Sequence, residues 1–321
     1  AVADAALVAR GGDPPEVVHG PVQKPPVWTW EIPLYFWFGG IAAGASFVAL
    51  ACDLAGDHRS AVWARRVALA GLAPSPVLLI ADLGRPERFL NMLRIFKPRS
   101  PMSMGAWCLT LFGNLAAASV GADLLGRRRT ARVLGGANAV VGGYLGSYTG
   151  VLLAATAVPV WNRSRLFLGP IFVATATATG ASATRLVLVA AGLPEGHPTR
   201  VALGRVERGA MFAELALSVV NKRLLGRLAE GLDHGRAGRM FRLAERLVWT
   251  GLGLRLARPP LSPRAHHVAS VCYLAAGACF RYAWVFAGPP SASDDEAVAR
   301  MARARATRHE PPAAIRAVRP S

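Results

Sequence analysis

The chain has 321 residues and a formal net charge of +18, with 53% hydrophobic and only 17% charged residues. Its mean hydropathy is +0.32, whereas soluble domains carry about 25% charged residues, so a soluble enzyme and a disordered chain are both excluded. The basic excess, 37 Lys and Arg against 19 Asp and Glu, sits between apolar runs. That placement fits membrane topology and contact with membrane lipids, and no nucleic-acid binding is expected.

In chain order, residues 1–27 read as an extramembrane tail. From there to residue 290, apolar runs of about 20 residues recur, each enough to cross a hydrocarbon core of about 30 Å. They predict an all-α polytopic membrane helix bundle of about eight transmembrane helices. The spans fall near 33–55, 62–82, 102–125, 133–157, 166–191, 206–220, 243–257 and 266–288. Pro74 and Pro76 predict a kink or break in the second span. The fourth is dense in glycine, which lets helices approach closely. The sixth reads as short, and the seventh is crowded by Arg242, Glu245, Arg246 and Arg255. Residues 291–321 form a basic tail.

Several residues in or beside these spans carry chemistry. Asp82, at the end of span 2, is followed by Gly84, Arg85 and Arg88. It reads either as a structural Asp–Arg pair or as a functional carboxylate at the membrane boundary. Trp28 and Trp30 form an interfacial belt. Glu31 and Tyr35 share a helix face behind them. Tyr144 and Tyr148, followed by Thr149, lie on the glycine-rich fourth span, as packing residues or as a grip on a ring carbonyl. Asp53, Arg185 and Glu207 fall near span ends, where snorkelling is the expectation. Glu214 and Arg281 lie deeper and are expected to pair within the bundle, Arg185 being the other candidate partner for Glu214. The four cysteines are in apolar stretches without a C-x-x-C pattern, and none of the seven histidines is at mid-span. No haem and no iron–sulfur cluster is therefore expected within this chain.

Taken together, the stretches resemble the NrfD/polysulfide reductase membrane-subunit family. The resemblance rests on Trp28–Glu31 with Pro33, on Gly39–Gly44 and on Asp82–Phe89. It continues through Ser100–Trp107, Tyr148–Leu153, Pro159–Trp161, and Arg281–Gly288 with Ser291, Ala292 and Asp294. It implies a haem-free membrane subunit that binds menaquinone or ubiquinone. The implied partners are a four-cluster iron–sulfur protein and a molybdopterin catalytic subunit, as in formate dehydrogenase-like or polysulfide/thiosulfate reductase-like complexes. In the family the pocket lies at the start of span 1 and the end of span 4, places held here by Glu31, Tyr35 and Tyr148.

The candidate site residues are thus Asp82 and Glu214 for protons, with Glu31, Tyr35, Arg85, Tyr148, Thr149 and Arg281 around the ring. The start of span 1 and the ends of spans 2 and 4 fall on one side, so Tyr35, Asp82 and Tyr148 are expected to converge. The heavier arginine load on that side places both termini in the cytoplasm, with the chain in the inner membrane. A proton or solute transporter, suggested by the broken second span and buried charges, and an inert anchor are the alternatives.

Overall fold

The computed structural model describes residues 24–83, 87, 89–257, 262–294 and 298, and every regular element among them is helical. Helix α1 (Glu31–Leu54) opens with Glu31 in its first turn, where a carboxylate faces the positive helix end, and with Pro33 at a position whose N–H has no intrahelical partner. The chain turns at Gly56, whose φ of +77° strains any residue with a side chain. Asp57 then caps α2 (His58–Leu72), accepting the Ser60 N–H at 3.0 Å. Pro74 and Pro76 supply no N–H, so the second span breaks at Ala73 and resumes as α3 (Pro74–Asp82), as the sequence predicts.

A short α4 (Phe89–Arg94) leads to α5 (Pro101–Leu124), which Ser100 caps by accepting the Ser103 N–H. There follow α6 (Arg128–Ala154), a short α7 (Pro159–Arg163) and α8 (Arg165–Ala190). His197 caps α9 (Pro198–Leu225). A 3-10 turn over Gly226–Ala229 and α10 (Glu230–Asp233) lead to α11 (Gly235–Leu256). The described chain closes with α12 (Pro263–Phe286) and α13 (Gly288–Ala292).

The eight long helical units, counting α2 and α3 as one, coincide with the eight expected spans. Five stretches among the described residues are long and apolar enough to cross a membrane: Glu31–Leu54, His58–Asp82, Pro101–Leu124, Arg165–Ala190 and Arg264–Ala292. The other three, α6, α9 and α11, have 27, 28 and 22 residues and more polar composition. At the sixth span the helix is longer than the apolar run: α9 extends back through Arg208, Glu207, Arg205 and Arg200, and Glu207, its most buried carboxylate, pairs with Arg255 of α11.

Helices α1 and α8 form the middle of the bundle. Helix α1 packs on α2, α3, α6, α8 and α12, and α8 also touches α6, α9 and α12. They meet backbone to backbone. A Cβ on Gly44 would stand 1.9 Å from the Ala176 carbonyl oxygen, and one on Gly180 would stand 2.2 Å from the Gly44 carbonyl carbon. Helix α6 joins them through its own glycines: a Cβ on Gly142 would meet Ser46 Oγ at 2.5 Å, and one on Gly150 the Gly169 N at 2.5 Å.

The charges near span ends do not snorkel. Arg65 of α2 reaches Asp53 of α1 at 2.6 Å and grips Asp123 of α5 with two bonds, at 2.6 and 2.9 Å, all three side chains being buried. Glu207 pairs with Arg255 and accepts the Ser270 hydroxyl at 2.8 Å, while Arg185 donates to the His266 carbonyl at 3.1 Å. These side chains have partners inside the bundle, so desolvation is offset there rather than avoided by reaching to the interface.

Gly180→Ala is expected to lower stability by about 1–3 kcal/mol or more, because backbone must move to admit the methyl group. Gly39→Ala, whose Cβ meets nothing within 4 Å, should change it by less than about 0.5 kcal/mol. Thermal unfolding of the two variants in detergent compares them directly.

A second expectation concerns acid. Partial burial pushes the Asp57 carboxyl up, but hydrogen bonds from Ser60 and Thr199 outweigh it and hold the group below its ordinary value. A carboxyl lowered on folding contributes stability above the ordinary carboxylate range and loses it as pH falls through the lowered folded value. The wild type should therefore lose more stability than Asp57→Asn as the solution is taken from neutral into that acid window. Parallel unfolding curves at each pH would contradict this.

Candidate functional site

At the end of the bundle where α1 and α5 begin and α3 and α6 finish, the helices leave a cavity of about 210 Å³. Helices α1, α3, α5 and α6 contribute residues three or four apart, so one face of each turns inward. Trp28, Ile32 and Tyr35 come from α1 and its approach, and Leu79, Asp82 and Leu83 from α3 and its end. Met92 comes from α4, Met102 and Ala106 from α5, and Tyr148 and Leu152 from α6. The wall is apolar except for the Tyr35 and Tyr148 phenols, the Asp82 carboxyl and the Trp28 indole.

The cavity is held open by packing behind it. Gly105 of α5 gives the Tyr148 ring its place: a Cβ there would stand 2.0 Å from Tyr148 Cζ and 2.1 Å from its hydroxyl. Tyr144 lies beside it, the ring centroids 6.1 Å apart. The approach to α1 is clamped from the far side. Trp28 stacks on Trp161 of α7 at 5.3 Å, and Trp161 Nε1 donates to the Trp284 carbonyl of α12 at 2.8 Å. Gly288 has no side chain to collide with the Trp161 ring, which a Cβ would meet at 2.2 Å. Ser291 accepts the Val160 N–H at 3.0 Å, and Tyr282 donates to the Trp30 carbonyl at 3.0 Å.

The structure therefore brings Tyr35, Asp82 and Tyr148 to one cavity. Among the described residues, none hydrogen-bonds to these phenols or to the Asp82 carboxyl. Glu31 stands in the first turn of α1, where the Thr29 hydroxyl donates to it, and does not line the cavity. Thr149 is buried in α6 away from the lining. Arg85 lies outside the described residues.

Arg281 and Glu214 are elsewhere, and they do not pair with each other. Arg281, fully buried in α12, donates from Nε to the Phe36 carbonyl at 2.8 Å and from Nη1 to the Gly277 carbonyl at 3.2 Å. Its guanidinium lies over the Phe172 ring, 5.6 Å from the centroid. Gly40 makes room for it, since a Cβ there would be 2.1 Å from Nη2. Glu214 of α9 accepts the Ser218 hydroxyl at 2.7 Å, one helical turn away on the same face. It lines a separate, narrow cavity of about 40 Å³ with Thr175, Met211, Phe241 and Phe280 among its walls. Carbonyls and a hydroxyl thus take the role that the sequence reading gave to an ion pair.

Sequence reasoning missed Met92, Met102, Ala106 and Leu152 as lining residues. Met102 and Ala106 lie within the Ser100–Trp107 stretch, where their four-residue spacing was the available signal. Met92 carries none.

A helix bundle with several membrane-length spans, carrying at one end an apolar cavity edged by two phenols and a carboxyl, defines a polytopic integral membrane protein. The family model described as "Polysulphide reductase, NrfD" matches residues 21–289, and the chain belongs to that family. A curated relative, "Protein NrfD homolog" of Haemophilus influenzae, is 27% identical over 224 residues, covering 60% of this chain and 69% of its own length.

Gly105→Val is expected to displace the Tyr148 ring and close part of the cavity. The substitution should reduce ligand-dependent quenching of tryptophan fluorescence, to which Trp28 contributes. Trp107→Phe, one helix face away and outside the lining, should leave that signal's ligand dependence intact.

Proposed function

We propose that this chain is the quinone-reactive membrane subunit of a molybdopterin oxidoreductase complex, with menaquinone or ubiquinone seated among Tyr35, Asp82 and Tyr148. The observation that carries the reading is the convergence of these three side chains, from three helices, on one apolar cavity, with no protein partner for their polar atoms among the described residues. Apolar walls with a few converging polar groups are what an uncharged ring with carbonyl oxygens needs.

A quinone supplies the exchange of two electrons and two protons when bound. The chain's own residues then have distinct tasks. Tyr35 and Tyr148 donate from their phenols and orient the ring. Asp82, at the boundary of the span, holds or releases a proton at its carboxyl oxygen and exchanges it with the adjacent aqueous face. The walls from Ile32, Leu79, Met102 and Leu152 exclude bulk water. Glu214 with Ser218 is a second place where a proton is held, deeper in the bundle and outside this cavity.

The family relationship supports the partners: a four-cluster iron–sulfur subunit and, through it, the molybdopterin catalytic subunit. Docking at the cavity end brings clusters near the ring. The segment after α3 favours it, since Met92 lines the cavity while Leu90, Ile95 and Phe96 beside it are exposed. In this reading both termini and the partner stand on the cytoplasmic side of the inner membrane.

Tyr148→Phe is expected to slow quinone turnover about tenfold, the scale of one hydrogen bond to a bound ligand, with the partner subunits still co-purifying. Asp82→Asn should slow it as well and flatten its pH dependence, because the amide keeps the shape and loses the ionisable group. Steady-state assays with a soluble quinol analogue test both. Wild-type rates across pH in both assembled variants would remove the cavity from the reaction.

A further inference from the structure

The opposite end of the bundle holds a second polar cavity of about 200 Å³, formed where α8 ends, α9 begins, α11 ends and α12 begins. Five arginines line it: Arg185 of α8, Arg200, Arg205 and Arg208 of α9, and Arg255 of α11. Arg200, Gly204 and Arg208 recur every four residues and so present one helical face. Gly204 lets Arg255 lie close against α9: a Cβ there would be 3.1 Å from Arg255 Nη1.

The guanidiniums are built in. Arg185 is 3% and Arg200 6% exposed. Arg200 Nη1 donates to the Leu193 carbonyl at 2.6 Å, and its Nη2 lies 3.3 Å from His267 Nε2. Arg255 donates to Glu207 and, at 3.0 Å, to Ser270 Oγ. These bonds use one edge of each group. The buried Nε atoms of Arg185, Arg200 and Arg255 have no hydrogen-bond partner among the described residues. The charge is unbalanced too. Glu195 is the one carboxylate on the described wall, and Glu207, beneath it, is spent on Arg255. Five guanidiniums on one wall with so little carboxylate leave an excess of positive charge that an anion would offset.

We propose that this cavity binds a phosphate group, either that of an anionic lipid headgroup or free phosphate. Guanidinium forks match phosphate oxygens with paired bonds. The first turn of α9, with its positive helix end, borders the same space. The cavity opens at the level where helices end, which is where headgroups lie. The site is separate from the Tyr35 cavity, and the inference does not depend on the quinone reading.

The test uses the full chain in phosphatidylcholine nanodiscs, with or without phosphatidylglycerol, and the Arg205→Gln/Arg208→Gln double variant. Neither side chain makes a hydrogen bond or ion pair among the described residues, so the fold should survive. Native mass spectrometry reads lipid retained after delipidation. The thermal midpoint reads inorganic phosphate against chloride at equal ionic strength. Selective retention of phosphatidylglycerol, weakened at least about fivefold in the double variant, identifies the lipid source. A phosphate-specific rise in midpoint without lipid selectivity identifies free phosphate. In the wild type, either ligand should protect Arg205 and Arg208 from phenylglyoxal, a readout that needs no variant. Absence of both selectivities, or selectivity without protection of these arginines, overturns the proposal.

Discussion

The backbone contact between α1 and α8 at Gly44 and Gly180 is the constraint on which the rest of the bundle depends. In lipid, apolar side chains gain little by leaving the solvent, so helices associate by close packing rather than by hydrophobic burial. Two facing glycines bring the helices to the closest approach the chain allows. Glycines of α6 then let a third helix settle on both. With these three axes fixed, the first turn of α1 and the last turns of α6 stand side by side, and the cavity between Tyr35 and Tyr148 follows.

The two ends of the bundle are organised by different chemistry. The end with the aromatic clamp uses hydrogen bonds between side chains and backbone: an indole and a phenol donate to carbonyls, and a hydroxyl accepts a backbone N–H. These are directional and carry no charge. The other end uses ion pairs. Arg65 ties α1, α2 and α5 together through two aspartates, and Arg255 ties α9, α11 and α12 through Glu207 and Ser270. Removing one member of such a buried pair leaves the other uncompensated, at a cost of about 3–5 kcal/mol. The ion pairs therefore fasten helices that the glycine contacts have brought together. The arginine excess left over at that end is the raw material of the proposed phosphate site.

Arg281 shows how a buried cation is accommodated without a carboxylate. Its Nε and Nη1 are satisfied by carbonyls of α1 and α12, its face by the Phe172 ring, and its bulk by the missing side chain of Gly40. It fastens the start of α1 to α12, one layer behind the cavity wall. The same stretch of chain supplies Trp284, Gly288 and Ser291 to the clamp, so residues far from the cavity in sequence set the position of Trp28 at its mouth. The Gly39–Gly44 stretch serves both ends of this arrangement, Gly40 for the guanidinium and Gly44 for the helix crossing.

Hydropathy marked five of the long helices plainly, because crossing a membrane demands length and apolarity that show in a window of the sequence, whereas α6, α9 and α11 are more polar. The break at Pro74 was equally legible, since a missing N–H acts locally. The convergence of Tyr35, Asp82 and Tyr148 followed from counting helix ends, which alternate sides whatever the packing. Met102 and Ala106 lie in a stretch that carries the family resemblance, but the resemblance did not mark them as lining residues. What tertiary structure decided was the rotation of each helix and the neighbour it faces. Periodicity says that residues share a face, not what that face meets. Hence Glu31 and Thr149 lie off the cavity, Met92 lies in it, and Glu214 turns to Ser218 while Arg281 turns to the Phe36 carbonyl. Composition made the charges near span ends look like snorkelling groups. The structure pairs them because a buried charge is stabilised by a partner on another helix, and which helix stands near enough is settled only once the glycine contacts have drawn the bundle together.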